Sequence, residues 1–417
     1  MKKLVLALLA VMMVVSSCIF PSSQSEDSAP ERYRFAADML DAFFIFRNKL
    51  PPDLYAFEDP LELYQYVNEP FTKYYPPDQR YEFFGMLSTV RSGVGIRVDS
   101  VSTGYVVLNV FPNAPAQKGG ILVGDTLTFV GSVSLEGITF KEFGNLLYGE
   151  VGDKVSLTVK RSETVMVKEL TYALYSSPTV FWEKVDSATA FIQVLSFLNE
   201  TAYPGGTSRE FSDALDSTVW AQTLILDLRN NGGGYLTQCE DVISHLVEPG
   251  TAIINSFERG YDAATHMVFE DSVVVRTDSG GKAVSKKLLV LMNEWTASAS
   301  EVVIAGLKSA RPDVVTFGTR TYGKARGQIY GVGPDSCVAK VTSLLFWPVS
   351  GAAYDLVGIQ PDISVESDLA FTAAQNYLGD QVAAKVSAGD RRRLAPLEKC
   401  WKPLAVKQKS DLLNGER

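Results

Sequence analysis

The chain has 417 residues, enough for two to four domains and a sizeable core. A net charge of −9, a pI near 5.0 and the lack of a basic stripe exclude nucleic acid as a partner. The composition is that of an ordinary globular protein, with no long low-complexity tract and no internal repeat.

Lys2 and Lys3 precede an apolar run, Leu4 to Val15, that is too short for a membrane span, and Val15-Ser16-Ser17-Cys18 resembles a bacterial lipobox. On that reading 1–18 is a lipoprotein signal peptide, Cys18 becomes the lipidated first residue, and 19–31 is a flexible polar tether. An ordinary signal peptide cleaved nearby is the alternative. The lipid reading places the protein in a bacterial cell envelope, membrane-anchored by lipid and facing the periplasm or the surface. Cys239, Cys337 and Cys400 remain, an odd number for an oxidising compartment, so at least one thiol is free or paired between chains. None has metal-ligand spacing, and no metal is expected.

Residues 32–90 are predicted to form a helical region, with aromatics at helical spacing (Phe43, Phe44, Phe46; Tyr64, Tyr66; Phe83, Phe84) and breaks at Pro51-Pro52 and Pro76-Pro77. Within it, Glu69-Pro70-Phe71-Thr72-Lys73-Tyr74-Tyr75 reads as an aromatic packing layer without chemistry. Residues 91–172 are strand-rich. Gly93-Val94-Gly95-Ile96 opens them, Gly119-Gly120-Ile121 and Gly124-Asp125 form turns, Phe140 to Leu147 suits a helix, and Lys154 to Lys160 alternates as a strand.

Residues 175–366 read as an α/β core. Leu224 to Leu228 is a buried strand running into Arg229-Asn230-Asn231-Gly232-Gly233-Gly234, a turn that exposes backbone N–H groups. No P-loop pattern accompanies it, which argues against a phosphate cradle. A second buried strand, Leu288 to Met292, runs into Thr296-Ala297-Ser298-Ala299-Ser300-Glu301 and then a helical VVIAGL. A serine at such a strand-to-helix turn sits at the positive end of the helix dipole, which suits a nucleophile whose attack creates an oxyanion. Val314 to Phe317 is a further strand, followed by Tyr322-Gly323-Lys324, where the glycine lets the backbone approach and aim the lysine at the sheet edge. A serine and a desolvated lysine make a base–nucleophile pair. Residues 367–417 read as a charged helical tail, with Arg391-Arg392-Arg393 and Lys407-Gln408-Lys409 as solvated faces.

The run TASASE, then YGK with Gln328 four residues beyond the lysine, DLRNNGGG upstream and Gly358-Ile359-Gln360-Pro361-Asp362 at the end resemble the C-terminal processing peptidases, also called tail-specific proteases. The resemblance implies a multidomain α+β chain: an N-terminal helical region, a β-rich PDZ domain at 91–172, and an α/β ClpP/crotonase-like catalytic core. It also implies a serine endopeptidase in which Ser298 is the nucleophile, Lys324 the general base, and Gln328 the residue orienting the lysine. The N–H of Ala299, with that of Gly232 or Gly233, would form the oxyanion hole. Asp227 and Arg229 hold the turn. In the PDZ domain, Gly93, Val94, Gly95 and Ile96 would receive the terminal carboxylate of a peptide that adds as a strand. Protein or peptide substrates with free C-termini and no cofactor follow; oligomerisation stays open.

Three departures from the family pattern stand out: a serine-to-lysine interval longer by one residue, Ser309 in place of an acid, and Ala325 in place of a glycine. The alternative is a non-catalytic peptide- or ligand-binding scaffold on the same fold. Of the two histidines, His245 is placed on a helix and His266 in a loop or hairpin, and neither sits in a recognisable triad. Without an H-E-x-x-H run, a common zinc protease is excluded.

Overall fold

In the computed structural model, residues 28–378 are described apart from 87 and 279. The expected signal peptide with Cys18, residues 19–27 of the tether, Cys400 and the basic runs of the tail lie outside the described residues.

Helices α1 (Ser28–Phe43) and α2 (Pro60–Val67) come first, followed by a short strand β1 (Lys73–Tyr75) and α3 (Arg80–Met86). The Asp59 carboxylate starts α2 by accepting the Leu61 N–H at 2.9 Å, with Pro60 pre-set for the first turn. Asn68 ends it in the left-handed region (φ 45°), and so aims the following Glu69 away from the helix axis. Residues 32–90 are therefore not helical throughout. Lys73–Tyr75 is a strand, and a three-residue strand is too short for its period to show in sequence.

Strand β2 (Val90–Gly93) leads into a sheet of β3 (Ile96–Val101), β4 (Gly104–Val110), β5 (Thr126–Val130), β6 (Val133–Ser134), β7 (Lys154–Arg161) and β8 (Thr164–Thr171). This sheet runs β3-β4-β5-β7-β8, with β6 on β5, and carries α4 (Pro115–Lys118) and α5 (Phe140–Leu146). Its core gathers Val98, Tyr105, Leu127, Leu157 and Phe143, and the Tyr105 and Phe143 rings stack at 4.1 Å. Strand β9 (Ala173–Ser176) then returns to pair antiparallel with β2.

The remaining elements are β10 (Val180–Lys184), β11 (Thr189–Val194), α6 (Gly206–Ser217), β12 (Thr223–Asp227), α7 (Leu236–Ser244), the hairpin β13 (Ala252–Asp262) and β14 (Met267–Arg276), β15 (Lys287–Met292), α8 (Ala299–Ala310), β16 (Val315–Gly318), β17 (Arg326–Val332), β18 (Val338–Pro348), β19 (Ile363–Ser364) and α9 (Ala370–Leu378). The central sheet runs β10-β11-β12-β15-β16-β19 and is parallel except for β10. Helices α6, α7 and α8 cover one face and α9 the other. Burial on both faces is why β12 and β15 read as unbroken apolar runs rather than as alternation. A second, antiparallel sheet runs β1-β18-β13-β14, with β17 also on β18. Helices α1 and α2 pack on it through Cys337, Ala339 and Val341, so the N-terminal segment is docked on the core.

Candidate active site

In open parallel sheets, chemistry gathers beyond the carboxyl ends of the strands. Here the turns after β12, β15 and β16 meet there. The Asn231 carbonyl accepts from the Ala297 N–H (3.0 Å) and the Ser300 hydroxyl (2.9 Å), and the Thr296 hydroxyl donates to the Leu228 carbonyl (2.9 Å). The Tyr322 N–H donates to the Thr296 carbonyl at 3.0 Å. Beneath the glycine turn, the Asp227 carboxylate holds the Arg229 guanidinium through bonds of 2.9 and 2.8 Å, both side chains being buried. Arg229 also reaches the Ser367 carbonyl at 2.6 Å, so this pair does fix the turn.

Ser298 occupies φ 58°, ψ −121° immediately before α8. A non-glycine residue pays strain to sit there, and such strain concentrates where a side chain must be displayed. The Ser298 hydroxyl therefore stands at the helix start, half-buried, while the adjacent Ala299 is fully buried. Gly233 (φ 103°) packs against this turn so closely that a Cβ on it would lie 2.8 Å from Ser298 Cβ and 3.0 Å from the Ala299 nitrogen. The two glycines expected to supply an oxyanion donor differ. The Gly233 N–H is already bonded to the Asn231 side-chain oxygen at 2.9 Å, whereas Gly232 is exposed and its N–H has no acceptor among the described residues.

The element that joins serine to lysine is one that sequence reasoning left without a role. The buried Glu301 carboxylate accepts from the Ser298 N–H (2.9 Å), the Thr321 hydroxyl (2.5 Å), the Gly323 N–H (2.7 Å) and the Lys324 N–H (2.7 Å). Burial raises its pKa, and these donors oppose the rise. The available signal was an acid three residues after a helix-capping serine, which reads as ordinary capping. Lys324 is partly buried, and burial lowers its amine to about 8 against the pull of Glu69 and Glu301. Its Nζ stands 4.9 Å from the centre of the Phe71 ring. Among the described residues, no hydrogen bond joins Lys324 Nζ to the Ser298 hydroxyl or to Gln328. The Gln328 amide nitrogen instead donates to the Arg326 carbonyl (3.1 Å) and the Thr342 hydroxyl (3.4 Å).

In the other sheet, Gly93 ends β2 opposite Ala173 and Ile96 starts β3 opposite Val110. The carbonyls of Val94 and Gly95 accept from Ala116 (2.8 Å) and Phe111 (2.9 Å), leaving their own N–H groups unbonded within the described residues. Strand β3 is the edge of its sheet, as strand addition requires. His245 caps the end of α7 and His266 sits at the tip of the β13–β14 hairpin. Cys239 is buried in the apolar core, and burial pushes its thiol up. Among the described residues no group of three or more His, Cys, Asp or Glu could hold a metal ion.

Residues 188–365 match the family model of peptidase family S41, and residues 106–161 that of the PDZ domain. Over its core the chain is thus similar to peptidase family S41, a family of serine-type proteases, and over residues 106–161 to the PDZ domain. Its relatives are C-terminal processing proteases. The carboxy-terminal processing protease CtpA of Bacillus subtilis (strain 168) is 27% identical over 307 residues, covering 72% of this chain and 62% of that protein. A CtpA-like serine protease of Staphylococcus haemolyticus (strain JCSC1435) is 25% identical over 301 residues, covering 72% of this chain and 58% of that one. The chain spans about three fifths of the length of these curated relatives. A solved structure assigned to the S41 proteases, from Bacteroides fragilis NCTC 9343, shares the fold at 15% identity and a TM-score of 0.52, covering 91% of this chain and 99% of that one. The mixed α+β architecture expected from sequence, with its PDZ domain and protease core, is borne out.

Proposed function

We propose that the protein is a serine endopeptidase of the C-terminal processing type, with Ser298 as nucleophile and Lys324 as general base. The observation that carries this reading is the Glu301 carboxylate, which ties the strained Ser298 turn and the Lys324 turn to one point. An extended peptide lies across the carboxyl edge of the central sheet. Lys324 takes the proton of the Ser298 hydroxyl as its oxygen attacks the scissile carbonyl, and returns that proton to the leaving amine. The N–H groups of Ala299 and Gly232 receive the oxyanion, each worth about 3–4 kcal/mol. Water then hydrolyses the acyl-enzyme, again with the lysine as base. Gln328 comes to orient the lysine only if it leaves the Arg326 carbonyl, and the serine–lysine hydrogen bond forms as substrate enters. The edge of β3, with Gly93, Val94, Gly95 and Ile96, takes the free C-terminus of the substrate. Lipidation at Cys18 would hold the enzyme at the cell envelope, where extracytoplasmic proteins are its substrates.

The test is hydrolysis of casein from mildly acidic to alkaline pH by the wild type, Ser298→Ala and Lys324→Ala, each checked for folding by circular dichroism. Activity that rises through about pH 8 and is lost in both folded variants supports the reading. Full activity in Ser298→Ala sinks it.

A further inference from the structure

The segment between α2 and β1, read from sequence as packing alone, reaches the lysine. Glu69 has a fully buried side chain whose carboxylate accepts from Arg326 (3.0 Å), the Thr342 hydroxyl (2.7 Å) and the Phe71 N–H (3.2 Å). The Thr72 hydroxyl accepts from the Thr342 N–H at 3.0 Å, so the segment is clamped to β18 beside Gln328. Two residues past Glu69, the Phe71 ring lies under the Lys324 ammonium at 4.9 Å, within the range where a cation gains from a π face.

The charges around Lys324 come from four directions. Glu69 faces it from this segment and Glu301 from α8. Two residues on, at the start of β17, stands Arg326, held by Glu69 and by Asp355 (2.8 Å). From β18 comes Lys340, within charge–charge reach of Lys324 and surrounded by Lys73, Glu82 and, across the strand pair, Tyr330. Both carboxylates hold donors of their own, Glu301 those of the two turns and Glu69 those of Arg326, Thr342 and Phe71, and the charge of each also acts on the ammonium; Glu69 and the Phe71 ring are what this segment brings to it.

We propose that Glu69 and Phe71 are positioning residues for Lys324: the carboxylate and the ring hold its ammonium over one spot and set how readily it gives up its proton. The proposal rests on Lys324 being the base. Burial alone would weaken that base by driving it to release its proton too early. A buried negative charge and an aromatic face restore basicity, and both come from a part of the chain that precedes the PDZ domain. The N-terminal region is then part of the catalytic machinery rather than a separate layer.

The experiment is a pH titration of full-length protein carrying 13C-labelled lysine, followed by NMR, with the Lys324 resonance identified by its loss in Lys324→Arg. In Glu69→Gln, which keeps a side chain able to bond Thr342, the Lys324 midpoint is expected to fall by on the order of one pH unit. In Phe71→Leu, apolar and of similar bulk, it falls by less. Asp355→Asn breaks the other ion pair of Arg326 without removing a charge that faces Lys324, and should leave the midpoint in place. An unchanged midpoint in both test variants, or an equal fall in Asp355→Asn, overturns the proposal. If Glu69→Gln does not fold, Phe71→Leu against Asp355→Asn decides. Casein hydrolysis is measured alongside: the acidic limb of kcat/KM should follow the titration. Full activity in Lys324→Ala would remove the lysine-base reading, while the NMR midpoints still report on Glu69 and Phe71.

Discussion

At the scale of single residues, Lys324 couples activity to stability with opposite signs. Its amine falls from 10.5 to about 8 in the folded chain. Between these values the unfolded chain holds a proton that the folded chain has released, so folding stability from this group rises with pH across the window and is lowest below pH 8. Lys324→Met should therefore abolish hydrolysis yet raise stability at pH 7 by on the order of 1–2 kcal/mol, a figure discounted for partial exposure. Urea unfolding at pH 7 and pH 10 checks the sign: the gain must shrink at the higher pH. Gly233 is the complementary case. Gly233→Ala would place a Cβ 2.9 Å from the Ala297 carbonyl oxygen and force a positive φ of 103° on a residue that resists it. A stability loss of about 1–3 kcal/mol is expected from the strain. Displacing the Ser298 turn should cut kcat by about 100-fold or more, because small misplacements of reacting groups are that costly. A Gly233→Ala variant with unaltered kcat would show that the turn tolerates movement.

At the scale of elements, the first turn of α8 is joined to the approach to β17 by a single carboxylate. Glu301→Ala leaves the Ser298, Gly323 and Lys324 N–H groups and the Thr321 hydroxyl without their acceptor in a buried setting. The expected cost is about 3–5 kcal/mol in urea unfolding, as for other broken buried charge networks. Glu301→Gln keeps the shape but sets an amide NH2 against at least one backbone N–H donor. It should fold better than the alanine variant and still lose most of its kcat, with KM for casein little changed. A rise in KM with kcat unchanged would place Glu301 in substrate binding instead.

At the scale of the whole molecule, the pre-PDZ helices and the protease core are not independent. Met39, Leu40, Phe44 and Leu63 are fully buried against Ala339 and Val341 of β18 and Cys337 just before it. Deleting residues 28–86 would uncover that face and remove strand β1 from its pairing with β18. Soluble expression and circular dichroism of the truncated chain should show aggregation or loss of cooperative unfolding, since exposed apolar sheet faces of this kind associate. A soluble, cooperatively unfolding truncation would mean that the core carries its own stability. Among the described residues, no helix is long and apolar enough to cross a membrane.

What the sequence determined by itself lies close together in the chain. Leu224 to Leu228 and Leu288 to Met292 announce buried parallel strands because burial on both faces demands unbroken apolar runs. Gly233-Gly234, Ser298 and Gly323 announce turns because each occupies a backbone conformation or a close approach that few residues tolerate. Tertiary structure alone decided which groups answer one another. Glu69 and Arg326 are 257 positions apart and meet at 3.0 Å, a contact with no local signature. Only the folded turn shows that, among the described residues, the Gly233 N–H is taken by Asn231 while that of Gly232 has no acceptor, and that Gln328 rests on Arg326 and Thr342 rather than on Lys324. Local conformation follows from local sterics and patterning, which a sequence displays. The basicity of a half-buried lysine follows from charges brought to it by distant segments, and those become neighbours only when the chain has folded.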